Sequence, residues 1–166
     1  MMNNIILIIG LLGSLASIYG AYLSIRAKNK AQNSAEIAES AKNQILQKQT
    51  TTQLSGVLYE TKTLQQAFGK YSITQDEGLT GVNFQKDSQV LQSYIFLFNE
   101  NRAKIESSTE MDTENIYNSL NDLLENFTKQ EFSTEKKKYG TQIRLMADDI
   151  IFKLRKTVDE RNINTK

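Results

Sequence analysis

The stretch GSLASIYGAYLSIRAKNKAQNSAEIAESA, Gly13 to Ala41, decides the fold of this chain. It begins in an uncharged apolar run and ends in a segment that is rich in alanine and carries lysine and glutamate. No proline occurs in it, so nothing forces a helix to break. Small residues recur on both sides of the change in polarity. The stretch therefore predicts one helix that passes from an apolar into an aqueous environment.

The run that precedes this change predicts a membrane anchor over residues 1–26. No charged side chain occurs before Arg26, and the apolar part extends from Ile5 to Ile25. A helix of that length, at about 1.5 Å per residue, spans roughly the 30 Å of the hydrocarbon core. A cleaved signal peptide and a buried soluble helix are the alternatives. A signal peptide usually has basic residues before a shorter apolar core, whereas here the amino terminus is the one basic group before Ile5.

The charges that flank the run predict its orientation. Arg26, Lys28 and Lys30 follow it directly, whereas the residues before it are uncharged. Basic residues stay on the cytoplasmic side of a membrane helix. We expect a single-pass protein of the bacterial inner membrane, with its N-terminus outside and the bulk of the chain in the cytoplasm.

The rest of the chain predicts an all-α fold. Residues 27–69 contain no proline and read as a long juxtamembrane helix that continues the membrane helix and stops at Gly69. Residues 70–166 read as a small cytoplasmic helical bundle that begins with a loop to Gly81. No strand pattern persists for more than a few residues.

Three helices are expected in the bundle from apolar residues at helical spacing. The first runs from Asn83 to Ser107, the second is capped by Asp112, and the third is capped by Ser133. Phe96 and Leu97 widen the apolar face of the first, as in a helix that lies centrally or meets another subunit. The three apolar stripes are Leu91, Tyr94, Ile95, Phe98 and Ile105; Ile116, Leu120, Leu123, Leu124 and Phe127; and Tyr139, Ile143, Met146, Ile150, Leu154 and Val158.

One ladder of residues at steps of three or four follows the first helix through both environments, and we call it the predicted seam. Helices in a bilayer associate where small side chains let their backbones approach, and alanine allows the same close packing in water. The chain has no second membrane helix, so parallel copies of the same helix are the simplest neighbours. The alternative is that glycine, serine and alanine are merely common in such helices. The predicted seam comprises Gly10, Ser14, Ser17, Ala21, Ser24, Lys28, Ala31, Ala35 and Ala38.

A ring of such helices predicts a pore with identifiable parts. Ser14, Ser17 and Ser24 would supply hydroxyls to its wall, and Ile9 and Leu12 are candidate apolar constrictions. Lys28 would stand at the cytoplasmic mouth and disfavour small cations. A closed bundle without a lumen uses the same residues, and the sequence does not separate the two.

Composition argues against catalysis. The 166 residues include no His and no Cys, which removes the commonest general base, thiolate nucleophiles and the commonest metal ligands. We expect no enzyme activity, no cofactor and no metal, although a carboxylate site assembled from distant residues remains open. The net charge of +1 favours no nucleic acid globally, and no DNA partner is expected.

Charged clusters in the bundle are either candidate sites or ordinary surface. Asp148 and Asp149 are adjacent on a helix, so their carboxylates diverge and do not form a catalytic pair. Arg144 and Arg155 share a face, and the alternatives are that they bind a phosphate ligand or pair with Asp148 and Glu160, of which pairing is favoured. The run of lysines at residues 136–138 indicates a solvated face rather than an anion contact.

The layout of uncharged span, basic junction, alanine-rich juxtamembrane helix and compact helical part resembles the small membrane proteins that accompany type VI CRISPR RNA-guided RNases. The resemblance covers the whole chain but rests on layout, without a diagnostic motif. It implies a membrane pore, a diverged HEPN-like cytoplasmic part and a protein or RNA-guided complex as partner. HEPN ribonucleases have a His a few residues after an Arg, whereas Arg144 is followed by Leu145, Met146, Ala147, Asp148 and Asp149. The resemblance thus implies a pore or scaffold role without ribonuclease chemistry.

Two functions follow as expectations. The first is a homo-oligomeric membrane effector, as a pore or a closed assembly, in CRISPR-linked antiviral defence. The second is a membrane-tethered adaptor whose helical bundle recruits a cytoplasmic partner.

Overall fold

The computed structural model describes residues 2–72, 82–131 and 133–163, and it leaves the side chains of residues 2–12, 15, 16 and 163 undescribed. All regular secondary structure in the described residues is helical, without strands, which confirms the predicted all-α fold. Five α-helices and one 3-10 turn follow in order: α1 (Met2–Gly69), the 3-10 turn (Lys70–Ser72), α2 (Phe84–Glu100), α3 (Arg102–Ser108), α4 (Thr113–Lys129) and α5 (Ser133–Ile163).

Contacts divide the chain into two compact units, Met1–Leu46 and Gln47–Lys166. The first unit consists of the N-terminal part of α1, and every residue of it whose side chain is described is exposed. The second unit holds the rest of α1 together with the 3-10 turn and α2 to α5. The last third of α1 therefore contributes to the same core as the helices that follow it.

The core of the second unit consists of the apolar stripes predicted from the sequence and of one face of α1. Leu54, Leu64 and Phe68 on α1 are almost wholly buried, and Phe127 of α4 packs edge-on against Phe68, with ring centroids 5.5 Å apart. The stripes of α2, α4 and α5 meet in this core, which also holds Met111 between α3 and α4. Its fully buried members further include Tyr71, Leu91, Phe98, Ile105, Leu120, Ile143, Ile150 and Leu154.

Most predicted helix ends are confirmed. The α1 helix ends at Gly69, and the carboxylate of Asp112 accepts a 3.0 Å hydrogen bond from the Asn115 backbone N–H at the start of α4. The α5 helix begins at Ser133 itself, so the start of the helix agrees with the prediction and the capping role of Ser133 stays a prediction. Asn83 caps α2 by accepting from the Lys86 N–H at 3.0 Å. Within the predicted loop, residues 70–72 form the 3-10 turn, and residues 73–81 lie outside the described residues.

The prediction of one unbroken helix from Asn83 to Ser107 is wrong. The α2 helix ends at Glu100 and α3 begins at Arg102, with Asn101 between them at φ −100° and ψ 2°. The side-chain amide of Asn101 donates to the Leu97 carbonyl at 2.9 Å, and its backbone N–H donates to the Leu97 and Phe98 carbonyls. Asn101 thus forms hydrogen bonds with carbonyl groups at the C-terminal end of α2. These bonds allow the helix to break there without Gly or Pro.

One glycine permits a close approach between α5 and the 3-10 turn. A Cβ at Gly140 would lie 2.7 and 2.8 Å from the Cδ1 and Cβ atoms of Tyr71, nearer than packed atoms allow. The Thr141 hydroxyl, one residue further, donates to the Tyr71 carbonyl at 2.9 Å. The absence of a side chain at residue 140 therefore lets α5 lie directly against Tyr71.

The described residues of the predicted membrane anchor, residues 1–26, lie in the N-terminal part of α1. Among the residues that the structure describes, no helix combines the length and apolar composition needed to span a membrane. Much of the predicted span from Ile5 to Ile25 falls on positions whose side chains lie outside the description, namely residues 5–12, 15 and 16.

Candidate functional site

The exposed N-terminal part of α1 carries the predicted seam. Eight of its nine members have described side chains, and all eight lie within α1 and are exposed. Gly10 lies in α1 at a position outside the side-chain description, as do the candidate constrictions Ile9 and Leu12. The exposed members are Ser14, Ser17, Ala21, Ser24, Lys28, Ala31, Ala35 and Ala38.

Two of the predicted pore-wall serines bond to their own helix. The Ser17 hydroxyl donates to the Gly13 carbonyl and the Ser24 hydroxyl donates to the Gly20 carbonyl, both at 2.9 Å. A serine that bonds four residues back needs no partner for its proton and is tolerated in an apolar environment. Each oxygen keeps lone pairs that can accept further hydrogen bonds. The two serines therefore suit a lipid-embedded helix and offer acceptors rather than donors to a neighbour.

Gly13 and Gly20 belong to a second ladder that the sequence reasoning missed. Alternating steps of four and three from Gly13 reach only glycine, serine and alanine as far as Ala41, and every member is exposed. A Cβ at Gly13 or Gly20 would meet no atom within 4 Å. We call this set the small-residue face: Gly13, Ser17, Gly20, Ser24, Ala27, Ala31, Ser34, Ala38 and Ala41.

The small-residue face and the predicted seam share Ser17, Ser24, Ala31 and Ala38, and they differ in charge. The predicted seam includes Lys28, whereas the small-residue face carries no charged residue. Starting the count at Gly13 rather than Gly10 is enough to find it in the sequence. An uncharged face of small side chains over eight steps allows closer helix contact than a ladder interrupted by a lysine.

Large apolar side chains are exposed on the same part of α1. Ile18 is 67% exposed and Ile25 is 60% exposed, and Tyr19, Tyr22 and Leu23 between them are also exposed. Isolated exposed apolar residues are ordinary, but a contiguous group this large indicates contact with lipid or with another protein. Further along α1, Ile37, Ile45 and Leu46 are exposed as well.

In the second unit the predicted pairing of Arg144 is confirmed. Its guanidinium donates from Nη1 to the Asp148 carboxylate at 2.5 Å and from Nε to the Ser72 hydroxyl at 2.6 Å. Gln65 also donates to Asp148. These bonds tie α1, the 3-10 turn and α5 together, so Arg144 and Asp148 act as structural residues.

The lysines of residues 136–138 meet aromatic rings in two cases. The Lys136 ammonium lies 4.5 Å from the Phe84 ring centroid, and the Lys138 ammonium lies 6.0 Å from that of Tyr139. Through these cation–π contacts the two lysines pack against the surface of the protein itself.

The carboxylate site that the sequence left open requires acidic side chains that converge, and their arrangement is known for the described residues. No group of three or more Asp or Glu side chains among them is arranged to hold a metal ion. The expectation that the protein is not an enzyme stays a prediction.

No protein-family model matches the chain, and no curated protein or solved structure is significantly similar to it. The resemblance to CRISPR-accessory membrane proteins therefore has no support beyond the layout of the chain. The physical features of the two units carry the functional argument.

Proposed function

We propose that this protein is a membrane-anchored homo-oligomer whose N-terminal helix both inserts in the bilayer and holds the copies together. In this proposal it acts as a membrane effector in antiviral defence. The single observation that carries it is the small-residue face of α1, which is exposed along its whole length from Gly13 to Ala41. A helix that exposes all sides within its own chain requires an external environment to cover its apolar groups.

The anchoring part of the proposal rests on the apolar run and its flanks. Ile18, Tyr22 and Ile25 expose apolar surface directly before Arg26, the first charge. The internal hydrogen bonds of Ser17 and Ser24 remove the cost of placing their protons in hydrocarbon. Tyrosine near the end of the run suits the interface between lipid and water. With the basic residues behind it, the second unit lies in the cytoplasm.

The assembly part rests on the continuity of the small-residue face. Gly20 and Ser24 lie in the apolar segment, whereas Ala31 and Ala38 lie among charged residues, and all four occupy one face. Small side chains let helix backbones approach in lipid, and the alanines extend the same contact into water. Identical parallel helices satisfy this requirement along their entire length, and cyclic symmetry closes the assembly.

A central lumen distinguishes a pore from a closed bundle. In a pore, Ser17 and Ser24 present acceptor lone pairs to the lumen because their protons are used within the helix. Lys28 places positive charge at the cytoplasmic end. Dye or ion leakage from liposomes that contain the protein supports a pore, and sealed liposomes with intact oligomers support a closed bundle.

A membrane-tethered adaptor is the second candidate, favoured by two exposed aromatic side chains in the second unit. Phe96 on α2 is 62% exposed, and Tyr59 on α1 is also exposed. A groove of about 410 Å³ runs between these helices, lined in part by Val90 and Leu97. Neither Phe96 nor Tyr59 lines this groove, but exposed aromatic side chains are typical of protein contacts. In the adaptor, these exposed residues and the groove contact the partner protein, and the N-terminal part of α1 serves only to localise the second unit.

Cysteine cross-linking tests the proposal without background, because the chain has no cysteine. We expect Ser17→Cys, Ser24→Cys and Ala31→Cys variants to form disulfide-linked dimers in membranes on mild oxidation. Tyr19→Cys and Asn33→Cys are the matched controls, because they lie about 200° and 160° around the helix from Ser17 at about 100° per residue. Cross-linking that is equal at all five positions, or absent from all, would contradict assembly through this face and favour the adaptor.

Orientation and biological role require their own tests. An alkaline phosphatase fusion after Lys166 should be inactive if the second unit is cytoplasmic, and an active fusion would show the opposite orientation.

For the defence role, cells that carry a type VI RNA-guided RNase should resist phage better when the protein is present. Equal plaque counts with and without the protein would remove the antiviral part and leave the oligomer intact.

A further inference from the structure

A groove in the second unit, between the end of α3 and the C-terminal half of α5, combines three kinds of chemistry. Its volume is about 570 Å³, within the range of about 300–1,000 Å³ that small-molecule sites occupy. One wall is formed by residues 107–110, and the other includes Phe152, Lys153, Lys156 and Glu160. The groove thus joins an aromatic ring, two ammonium groups and carboxylates.

Phe152 is the most unusual of these residues. It is 71% exposed, although its neighbours Ile151 and Leu154 on the same helix are buried. An aromatic ring displayed at the edge of a groove offers a flat apolar face to a ligand. Nucleobases stack on such faces, and this stacking is tolerant of base identity.

The lysines supply charge that the fold does not use. Neither Lys153 nor Lys156 takes part in an ion pair within the described parts of the chain, where the pairs are Lys70–Asp87, Lys129–Glu125 and Arg144–Asp148. Both are exposed, so their ammonium groups are free to meet a phosphate.

The carboxylates decide between ligand classes. Glu110 and Glu160 line the same groove, so its formal charge is balanced and a simple anion gains little there. Carboxylates accept hydrogen bonds from ribose hydroxyls and from base amino groups. A ring for the base, ammonium groups for the phosphate and carboxylates for the sugar together match a nucleotide.

We propose that this groove binds a nucleotide, with the base stacked on Phe152 and the phosphate held by Lys153 and Lys156. A free mononucleotide and a nucleotide within single-stranded RNA share this chemistry. The site lies within Gln47–Lys166 and does not depend on the proposed anchoring or assembly.

Fluorescence binding with the full chain in detergent tests the site. The probes are a mant-labelled adenosine monophosphate and a fluorescein-labelled single-stranded RNA of about ten nucleotides, a length within the range that single-strand sites cover. We expect micromolar to submillimolar binding of at least one probe. Tighter binding of the mononucleotide identifies a free nucleotide as the ligand, whereas tighter binding of the RNA identifies a strand.

Variants separate the groove from general surface charge. Phe152→Leu should weaken binding about five- to tenfold because stacking is lost, whereas Phe152→Tyr should retain it. Lys153→Gln with Lys156→Gln should weaken it similarly. Arg155→Gln is the matched control, because Arg155 is exposed on the same helix but does not line the groove.

Three results would overturn the site. One is no binding of either probe below about 1 mM, which is weak even for a small ligand. Another is Phe152→Leu binding with unchanged affinity, since the ring would then play no part. The third is a loss for Arg155→Gln as large as for the lysine variants, which would show attraction to a basic surface alone. Circular dichroism confirms that each variant is folded.

Discussion

The buried carboxylate of Asp87 accepts a hydrogen bond from the Tyr71 hydroxyl, with 2.6 Å between the oxygens. The Lys70 ammonium lies 2.7 Å from the same carboxylate, so the charge of Asp87 is compensated. The Tyr71 ring packs between Phe68 and Phe127, each with its centroid 5.4 Å away. This cluster links the end of α1 to α2 and α4.

The cluster predicts how stability depends on alkaline pH. Burial, together with the hydrogen bond to Asp87 and its negative charge, raises the pKa of Tyr71 far above its usual value, and burial raises the pKa of Tyr94. Below about pH 10 both tyrosines are protonated in the folded and the unfolded chain. Above that pH only the unfolded chain releases these protons, so the free energy of unfolding should fall as pH rises.

Tyr71→Phe isolates the contribution of one tyrosine. Between about pH 10 and 11 the variant should lose stability less steeply than the unmodified protein, by about 1 kcal/mol per pH unit. Lys70 and Asp87 are unchanged in the variant, so the two proteins differ only in the Tyr71 hydroxyl. Urea unfolding followed by circular dichroism at several pH values measures the slopes, and equal slopes would contradict the prediction.

Gly140 should resist substitution more than any ordinary helical glycine. Gly140→Ala places a Cβ against the Tyr71 side chain and should destabilise the second unit by about 1–3 kcal/mol. Gly56→Ala is the control, because a Cβ there meets nothing within 4 Å and Ala favours the helix by about 0.5–1 kcal/mol. Thermal unfolding of both variants compares them. A Gly140→Ala protein as stable as Gly56→Ala would show that α5 does not press on Tyr71.

The buried hydrogen bond between Thr61 and Tyr94 should behave as a coupled pair. Their hydroxyl oxygens are 3.0 Å apart, and Thr61 also donates to the Val57 carbonyl at 2.7 Å. Thr61→Val or Tyr94→Phe alone should cost about 1–2 kcal/mol, because the buried hydroxyl that remains loses one hydrogen bond. The double variant should cost less than the sum of the two. Urea unfolding of all four proteins gives the coupling, and strict additivity would contradict it.

Local chemistry explains why much of the helical layout was predictable. Asp112 caps α4 through its own side chain, and Gly69 ends α1, so each boundary is encoded within a few residues. The apolar stripes of α2, α4 and α5 repeat at helical spacing, and burial follows from it. The break at Asn101 was missed because asparagine also occurs inside helices. Only its bond to the Leu97 carbonyl distinguishes it.

Other features depend on contacts that spacing does not encode. Asp87 is charged and near the start of α2, where exposure is the ordinary expectation, yet it is buried because Lys70 and Tyr71 reach it. Neither partner could be assigned before the packing of the 3-10 turn was known. The groove beside Phe152 likewise joins α3 and α5, which are separated by the whole of α4. The small-residue face, in contrast, was within reach of the sequence, since it needs only the correct starting residue.

Native mass spectrometry of the full chain in detergent tests most directly whether the small-residue face of α1 holds identical copies together. We expect the unmodified protein to be an oligomer of several copies at micromolar concentration. Ser17→Leu with Ala31→Leu should yield mainly smaller species, because a large side chain separates the backbones. Tyr19→Leu with Asn33→Leu introduces the same residues on the opposite side and should leave the oligomer unchanged. A monomeric unmodified protein, or an oligomer that keeps its size with leucine at Ser17 and Ala31, would contradict assembly through this face.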